Sequence, residues 1–274
     1  MLKKLDRAFR RFFPKRLTGN KEYLEIFRNL KGIEVGGPSP AFSTRGWLPI
    51  YRVIAGLDGC NFSSNTIWEG SIREGNTFKY DDKTGYQYIS DATDLSQVPD
   101  DKYDFLLSCH SLEHIANPIK ALNEWKRIVK NNGYFLFVLP HKDGTFDHRR
   151  PVTTLEHVIA DYDNNTTEHD TTHFDDAINL HDISKDHGID SYEALTERTK
   201  NNFENRSVHH HIFNTPFLVS LVDQMKLKVL RVTHFSPFHI IVLAQKTDQT
   251  FNNAEWLSKR NPVYINSRFP SDRL

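Results

Sequence analysis

The stretch YDFLLSCHSLEHIANPIKALNEWKRIVKNNGYFLFVLP, residues Tyr103–Pro140, decides the fold class. Its opening, Tyr103–Ser108, has the pattern of a short buried strand. Asn117 is placed to cap a helix with Pro118 at the first position, and Ile119, Leu122, Trp125, Ile128 and Val129 then recur at helical spacing. Gly133 stops that helix. Tyr134–Leu139 follows as an uninterrupted apolar run closed by Pro140, the mark of a strand covered on both faces. A strand, a helix and a strand in this order make a βαβ unit and predict an α/β fold with a mostly parallel sheet.

Upstream, Gly32–Val35 is a short apolar run carrying one acid, Glu34, and it breaks at Gly36-Gly37-Pro38 into a tight turn. Glycines at such a turn let a nucleoside lie against the main chain, as at the first strand-to-helix turn of doubly wound sheets. The turn lacks the full G-x-G-x-x-G pattern, because Pro38-Ser39-Pro40 replaces its third small position, and a plain turn is the alternative reading.

Taken together, residues 31–140 resemble the class I S-adenosylmethionine-dependent methyltransferases, in their methyltransferase type 11-like branch. DFLLSCHSLEH (Asp104–His114) and LNEWKRIVKNNG (Leu122–Gly133) carry the resemblance, with the glycine turn upstream and SDATDL between. The resemblance extends more weakly over 212–246. It implies a Rossmann-like, seven-stranded, mostly parallel sheet with an antiparallel edge strand, and S-adenosyl-L-methionine as cofactor. It further implies that Glu34, Gly36, Gly37 and Ser39 wrap the methionine and ribose parts, that Asp91 and Ala92 lie near the adenine, and that Cys109 and His110 stand at the exit of the fourth strand. The acid that binds the ribose hydroxyls falls on Asp58, with Asn61 or Glu69 as alternatives and a simple turn at Asp58-Gly59 also open.

Composition narrows the class. Thirty-five Lys plus Arg balance thirty-five Asp plus Glu, so no global field favours nucleic acid, and a small-molecule acceptor is the simpler expectation. Cys60 and Cys109, the two cysteines, suggest reduced thiols in a cytoplasmic protein rather than a disulfide framework. No apolar run is long enough to span a bilayer, and no signal-peptide hydrophobic region is evident. MLKKLDRAFRRFFPKRL, at 1–17, places Leu2, Leu5, Phe9, Phe12 and Phe13 at helical spacing among lysines and arginines. This basic amphipathic segment either caps the sheet or lies on an anionic membrane surface.

Beyond Pro140 the chain turns unusual, with ten of the fourteen histidines between His141 and His211, interleaved with acids. The expected organisation is a basic segment over 1–30, a cofactor-binding half over 31–140, a helical histidine-rich insertion or substrate lid over 141–211, a helix and closing hairpin over 212–246, and a tail over 247–274. Methyl transfer to a hydroxyl requires alignment, exclusion of water and removal of a proton, and histidine suits the last of these. His141, directly after the fifth strand, is the first candidate for general base and His148 the second. Arg149 and Arg150 are candidates for holding an anionic acceptor, with His173 and His210 as further substrate contacts. His209-His210-His211, read as near a strand, point to alternate faces. A metal held by His173, Asp175, Asp176, His181, Asp182 and these histidines lacks any supporting H-E-x-x-H or C-x-x-C spacing.

These readings predict methyl transfer to an oxygen of a small-molecule, sugar or phosphate-bearing glycan acceptor, the last because the motif pattern resembles bacterial methyltransferases of surface-polysaccharide assembly. The alternatives are an inactive cofactor-binding module, a metal-dependent enzyme and a nicotinamide-dependent oxidoreductase, against which the missing third glycine counts.

Overall fold

The computed structural model describes residues 15–186 and 188–273, so residues 1–14 of the basic amphipathic segment lie outside the described residues. Strands β1 (Lys31–Val35), β2 (Gly56–Asn61), β3 (Asn65–Thr66), β4 (Gly70–Ser71), β5 (Gly75–Tyr80), β6 (Lys83–Ile89), β7 (Tyr103–Cys109), β8 (Val129–Pro140), β9 (Lys228–Phe235) and β10 (His239–Gln245) follow along the chain. Eight of them form one sheet in the order β5-β6-β2-β1-β7-β8-β10-β9, and β3 with β4 makes a separate small hairpin. The centre of the sheet, β6-β2-β1-β7-β8, is parallel. β10 runs antiparallel between β8 and β9, as the closing hairpin requires.

The count is eight strands where seven were expected, because β5 folds back antiparallel on β6 and extends that edge. Two connections also lack the expected helix. Between β1 and β2 the chain, broken by Pro38, Pro40 and Pro49, forms one 3-10 turn at Ile50–Arg52, since each proline removes a donor that a helix would need. Between β2 and β6 the β3–β4 hairpin and β5 take the helix's place.

Alternation along the central strands feeds two cores. Leu106, Phe135 and Phe137 face helices α2 (Pro118–Ile128) and α6 (Thr215–Gln224) on one side. Phe105, Leu107, Leu136 and Val138 face α1 (Asn20–Phe27) and the 41–54 connection on the other. A run apolar on every residue is what covering on both faces demands. Asn117 caps α2 as its sequence position predicts, accepting from the Lys120 amide at 3.0 Å, while its own amide donates to Asp161 O at 3.0 Å.

Residues 141–211 carry helices α3 (Leu155–Asp163), α4 (Phe174–Asn179) and α5 (Tyr192–Lys200). The segment after β10 packs back on the domain: Asn253, Tyr264, Phe269 and Asp272 are all buried. No helix among the described residues is long and apolar enough to cross a membrane.

Candidate functional site

At the carboxyl ends of β1, β2 and β7 lies a cleft of about 670 Å³, the size and position at which open α/β sheets take small ligands. Val35, Gly36 and Ser39 form one side of it, Asn61, Trp68 and Glu69 the next, and Ser90 with Ala92 a third. Cys109, His110, Ser111 and His114 make the floor, and Phe146, Arg206 and His209 close it from the 141–211 segment.

The turn after β1 is braced from below. Glu34 is fully buried, and its carboxylate accepts from the Ser39 amide at 3.0 Å and from the Tyr51 hydroxyl. Burial pushes its pKa up to about 7, and these donors hold it from rising further. Glu34 therefore shapes the turn and does not line the cleft. Gly37 does not line it either: a Cβ there would lie 2.3 Å from Glu34 Cδ, and its carbonyl accepts from the Asn61 side chain at 3.0 Å. Gly36 does line the cleft, with φ at +80° and an added Cβ only 2.0 Å from Ser111 Oγ, so the chain tolerates no side chain there.

Asp58 is not at the site. Parallel pairing sets Ile33 against Asp58 and Val35 against Cys60, so the end of β2 level with the glycine turn is Cys60-Asn61. The Asp58 carboxylate instead accepts from the Tyr86 amide at 2.9 Å and the Tyr103 hydroxyl at 2.6 Å, inside the sheet edge. Of the two alternatives, Asn61 is already committed, donating to Gly37 O and accepting from Trp68 Nε1 at 3.1 Å. Glu69 keeps a carboxylate that no hydrogen bond engages among the described residues, and partial burial raises its pKa. A ribose diol presents two donors to one such carboxylate. Glu69→Gln is expected to weaken S-adenosylmethionine binding by roughly tenfold or more, with Asp58→Asn leaving it unchanged. Calorimetric titration of both variants checks this, and equal losses would remove Glu69 from the role.

Ala92 lines the cleft, while Asp91 sits just behind, its carboxylate held by Thr93 and 3.3 Å from Arg206. Cys109 and His110 line the floor as expected. Both cysteines are free, and burial pushes Cys60 up to about 12 and Cys109 well above the usual thiol range, so neither serves as a nucleophile.

Neither candidate base reaches the cleft. The backbone of His141 is pinned by its amide to Phe238 O at 2.7 Å, and its fully buried ring stacks on Phe269 while Nε2 lies 2.9 Å from Asp272. The closing hairpin is the reason. In register with Pro140 stands His239, and it is His239 that lines the cleft, stacked against Trp47. His148 pairs with Asp182 at 2.9 Å away from the cleft. Arg149 lies 3.7 Å from the same Asp182, and buried Arg150 contacts Asp147 at 3.2 Å and His209 O at 2.8 Å, so neither arginine faces an acceptor.

His209, which the sequence does not single out as a base, is the histidine of this segment that lines the cleft. Bends at 208, 210 and 211 break the expected strand-like alternation, so His209 faces the cleft while His210 and His211 turn behind its wall with His173. His209 Nδ1 lies 2.5 Å from Asp147 Oδ2. Burial opposes charge on His209, but the Asp147 carboxylate outweighs it and holds the pKa above the ordinary value. Burial likewise pushes Asp147 up, yet His209 and Arg150 bring it down to about 2. Beside them His114 is pushed down to about 4 by burial and by His209, and its ring packs edge-on to His209 at 4.6 Å.

Residues 52–137 match the methyltransferase-domain family model. The match spans β2 to the heart of β8, the strands whose ends make the cleft. Similar solved structures include a putative methyltransferase bound to the Trm112 methyltransferase activator of Haloferax volcanii, at 12% identity over 85% of this chain and 90% of that one, TM-score 0.48. S-adenosylmethionine-dependent methyltransferases from Mesorhizobium loti (13% identity, 83% and 96% covered, TM-score 0.47) and, putatively assigned, Listeria monocytogenes (17%, 84% and 99%, TM-score 0.46) are also similar. No curated protein matches the sequence. The cleft's own geometry suits S-adenosylmethionine: a side-chain-free turn at Gly36, an uncommitted acid at Glu69, and apolar walls at Ala92 and Trp68.

Proposed function

We propose that this protein transfers a methyl group from S-adenosylmethionine to an oxygen of a small-molecule or glycan-linked acceptor, with His209 as general base. The observation that carries the reading is the Asp147–His209 pair at the edge of the cleft. The cofactor supplies an electrophilic methyl group on a sulfonium, so the chain's own task is alignment, water exclusion and proton removal. With Nδ1 committed to Asp147, Nε2 is the His209 atom left for an acceptor hydroxyl. It would accept the hydroxyl proton as the methyl group passes from the sulfonium to the acceptor oxygen, the carbon–sulfur bond breaking to leave neutral S-adenosylhomocysteine, and the Asp147 carboxylate would stabilise the imidazolium that results.

Aromatic walls from Trp47, Phe62 and Phe146 suit a ring-shaped acceptor, and Arg206, though paired with Glu168 at 2.8 Å, supplies a cation near the wall. The glycan part of the proposal draws on the motif resemblance, and a cytoplasmic location on the two free thiols. Titration with S-adenosylmethionine and S-adenosylhomocysteine beside NAD, followed by methyl transfer to a panel of sugar, phenol and amine acceptors, tests it. Selective binding with transfer to a hydroxyl supports the reading. Transfer to amines alone removes the oxygen assignment, and binding without any turnover favours an inactive module.

A further inference from the structure

Behind the cleft wall, histidines from three separate segments converge. His157 lies on α3, His173 precedes α4, and His211 stands in the bent stretch before α6. Each offers a ring nitrogen, and the three nitrogens lie within 4.8 Å of one another. His157 Nε2 is 3.1 Å from His173 Nε2. Two neutral imidazoles can share one hydrogen bond at that distance, but that leaves the rest of the cluster unexplained. His211 is almost fully buried; its Nε2 lies 3.2 Å from Ala116 O, which makes Nε2 the donor and leaves Nδ1 as a buried acceptor with no partner. Asp161 Oδ2 is also buried without a hydrogen-bond partner, 3.4 Å from His157 Nε2.

Each such orphan costs free energy in an interior that ordinarily satisfies its polar groups. We infer that His157, His173 and His211 form a binding site for a divalent transition metal, zinc by ligand type, with Asp161 as the fourth ligand. Zinc takes imidazole nitrogen and carboxylate oxygen at about 2.0–2.2 Å in tetrahedral geometry, which sets ligand atoms roughly 3.3 Å apart. The 3.1 and 3.4 Å separations around His157 already have that spacing. His157 and Asp161 stand four residues apart on α3, so one helical face presents both. The hydrogen bond from His211 to Ala116 O is the outer contact that commonly fixes a ligating ring. His157 is 41% exposed, which gives the ion a path in. An ion here ties α3, the chain before α4 and the stretch that carries His209, and so stiffens the wall of the cleft without touching the acceptor.

The test uses the full, untagged chain, stripped with chelator, equilibrated with zinc sulfate and dialysed. About one zinc per chain by elemental analysis, together with a rise in melting temperature of roughly 5 °C or more on adding zinc, is expected. His157→Ala and His173→Asn should each lose both the retained zinc and the thermal shift. S-adenosylhomocysteine binding by these variants shows that they are folded, and a variant that does not bind is replaced in the comparison by Asp161→Asn. Substoichiometric zinc with no thermal shift in the parent chain overturns the site. So does zinc retained at parent level in both histidine variants.

Discussion

His209→Gln is expected to lower turnover by roughly 10²–10⁴-fold while leaving S-adenosylmethionine affinity essentially unchanged. Glutamine keeps a hydrogen-bonding side chain of similar reach but cannot take up a proton, so the loss isolates proton transfer from packing. The pH profile adds a second readout. The base acts only when neutral, and Asp147 holds the His209 pKa above its ordinary value of about 6.5. Activity therefore rises with pH through a limb lying above that value. Asp147→Asn removes the charge that raises the pKa, so the limb should move to lower pH as maximal turnover falls. A His209→Gln enzyme with parental turnover, or a limb that does not move in Asp147→Asn, would end the assignment. Loss of cofactor binding alongside activity would instead mark His209 as part of the cleft's architecture.

The sequence shows the sheet far better than it shows the proposed base, and the reason is physical. Tyr103–Pro140 carries local signals that no tertiary context had to supply, a cap at Asn117, a proline at the first helical turn and an apolar run closed by Pro140, but the helix ends at Ile128 and β8 already begins at Val129, so Gly133 lies within the strand and does not stop the helix. Gly36, Ser39, Ala92, Cys109 and His110 line the cleft because they stand at or just beyond the carboxyl ends of β1, β6 and β7, where the strand order places them. Asp58 misled because the strand runs three residues further than its turn-like Asp-Gly pair suggests. His141 misled because proximity in sequence to the end of β8 says nothing about which way the closing hairpin turns the ring. His209 depends on a bent stretch and on a partner, Asp147, sixty-two residues away. No periodicity encodes such a pairing. The fold edge shows the same limit: β5 joins the sheet through pairing with β6, yet only Phe78 and Tyr80 of its six residues are buried, too short an apolar pattern to announce a strand.

The second large effect is expected far from the cleft. Asp272→Ala should destabilise the protein by about 3–5 kcal/mol, the cost of removing one partner from a buried charged network. Asp272 is buried and accepts from the Thr215 amide at 2.9 Å, the Thr215 hydroxyl at 2.8 Å and the Ser267 hydroxyl at 2.6 Å, with His141 Nε2 at 2.9 Å. One carboxylate thus joins the end of β8, the first turn of α6 and the segment after β10. Burial pushes its pKa up, but His141, Ser267 and Thr215 outweigh burial and hold it below the usual carboxylate range. A depressed folded-state pKa means that the stabilisation is complete above the unfolded value of about 3.9 and is lost as pH falls through the folded one. Denaturant unfolding at neutral pH should therefore show the full difference between parent and Asp272→Ala, and the two should converge in acid. His141→Ala removes the other half of the clasp and should also lower the unfolding midpoint, yet keep turnover per folded molecule, because its ring never meets the cleft. A hundredfold loss of turnover in folded His141→Ala would return the base to the end of β8 and overturn the placement of His209.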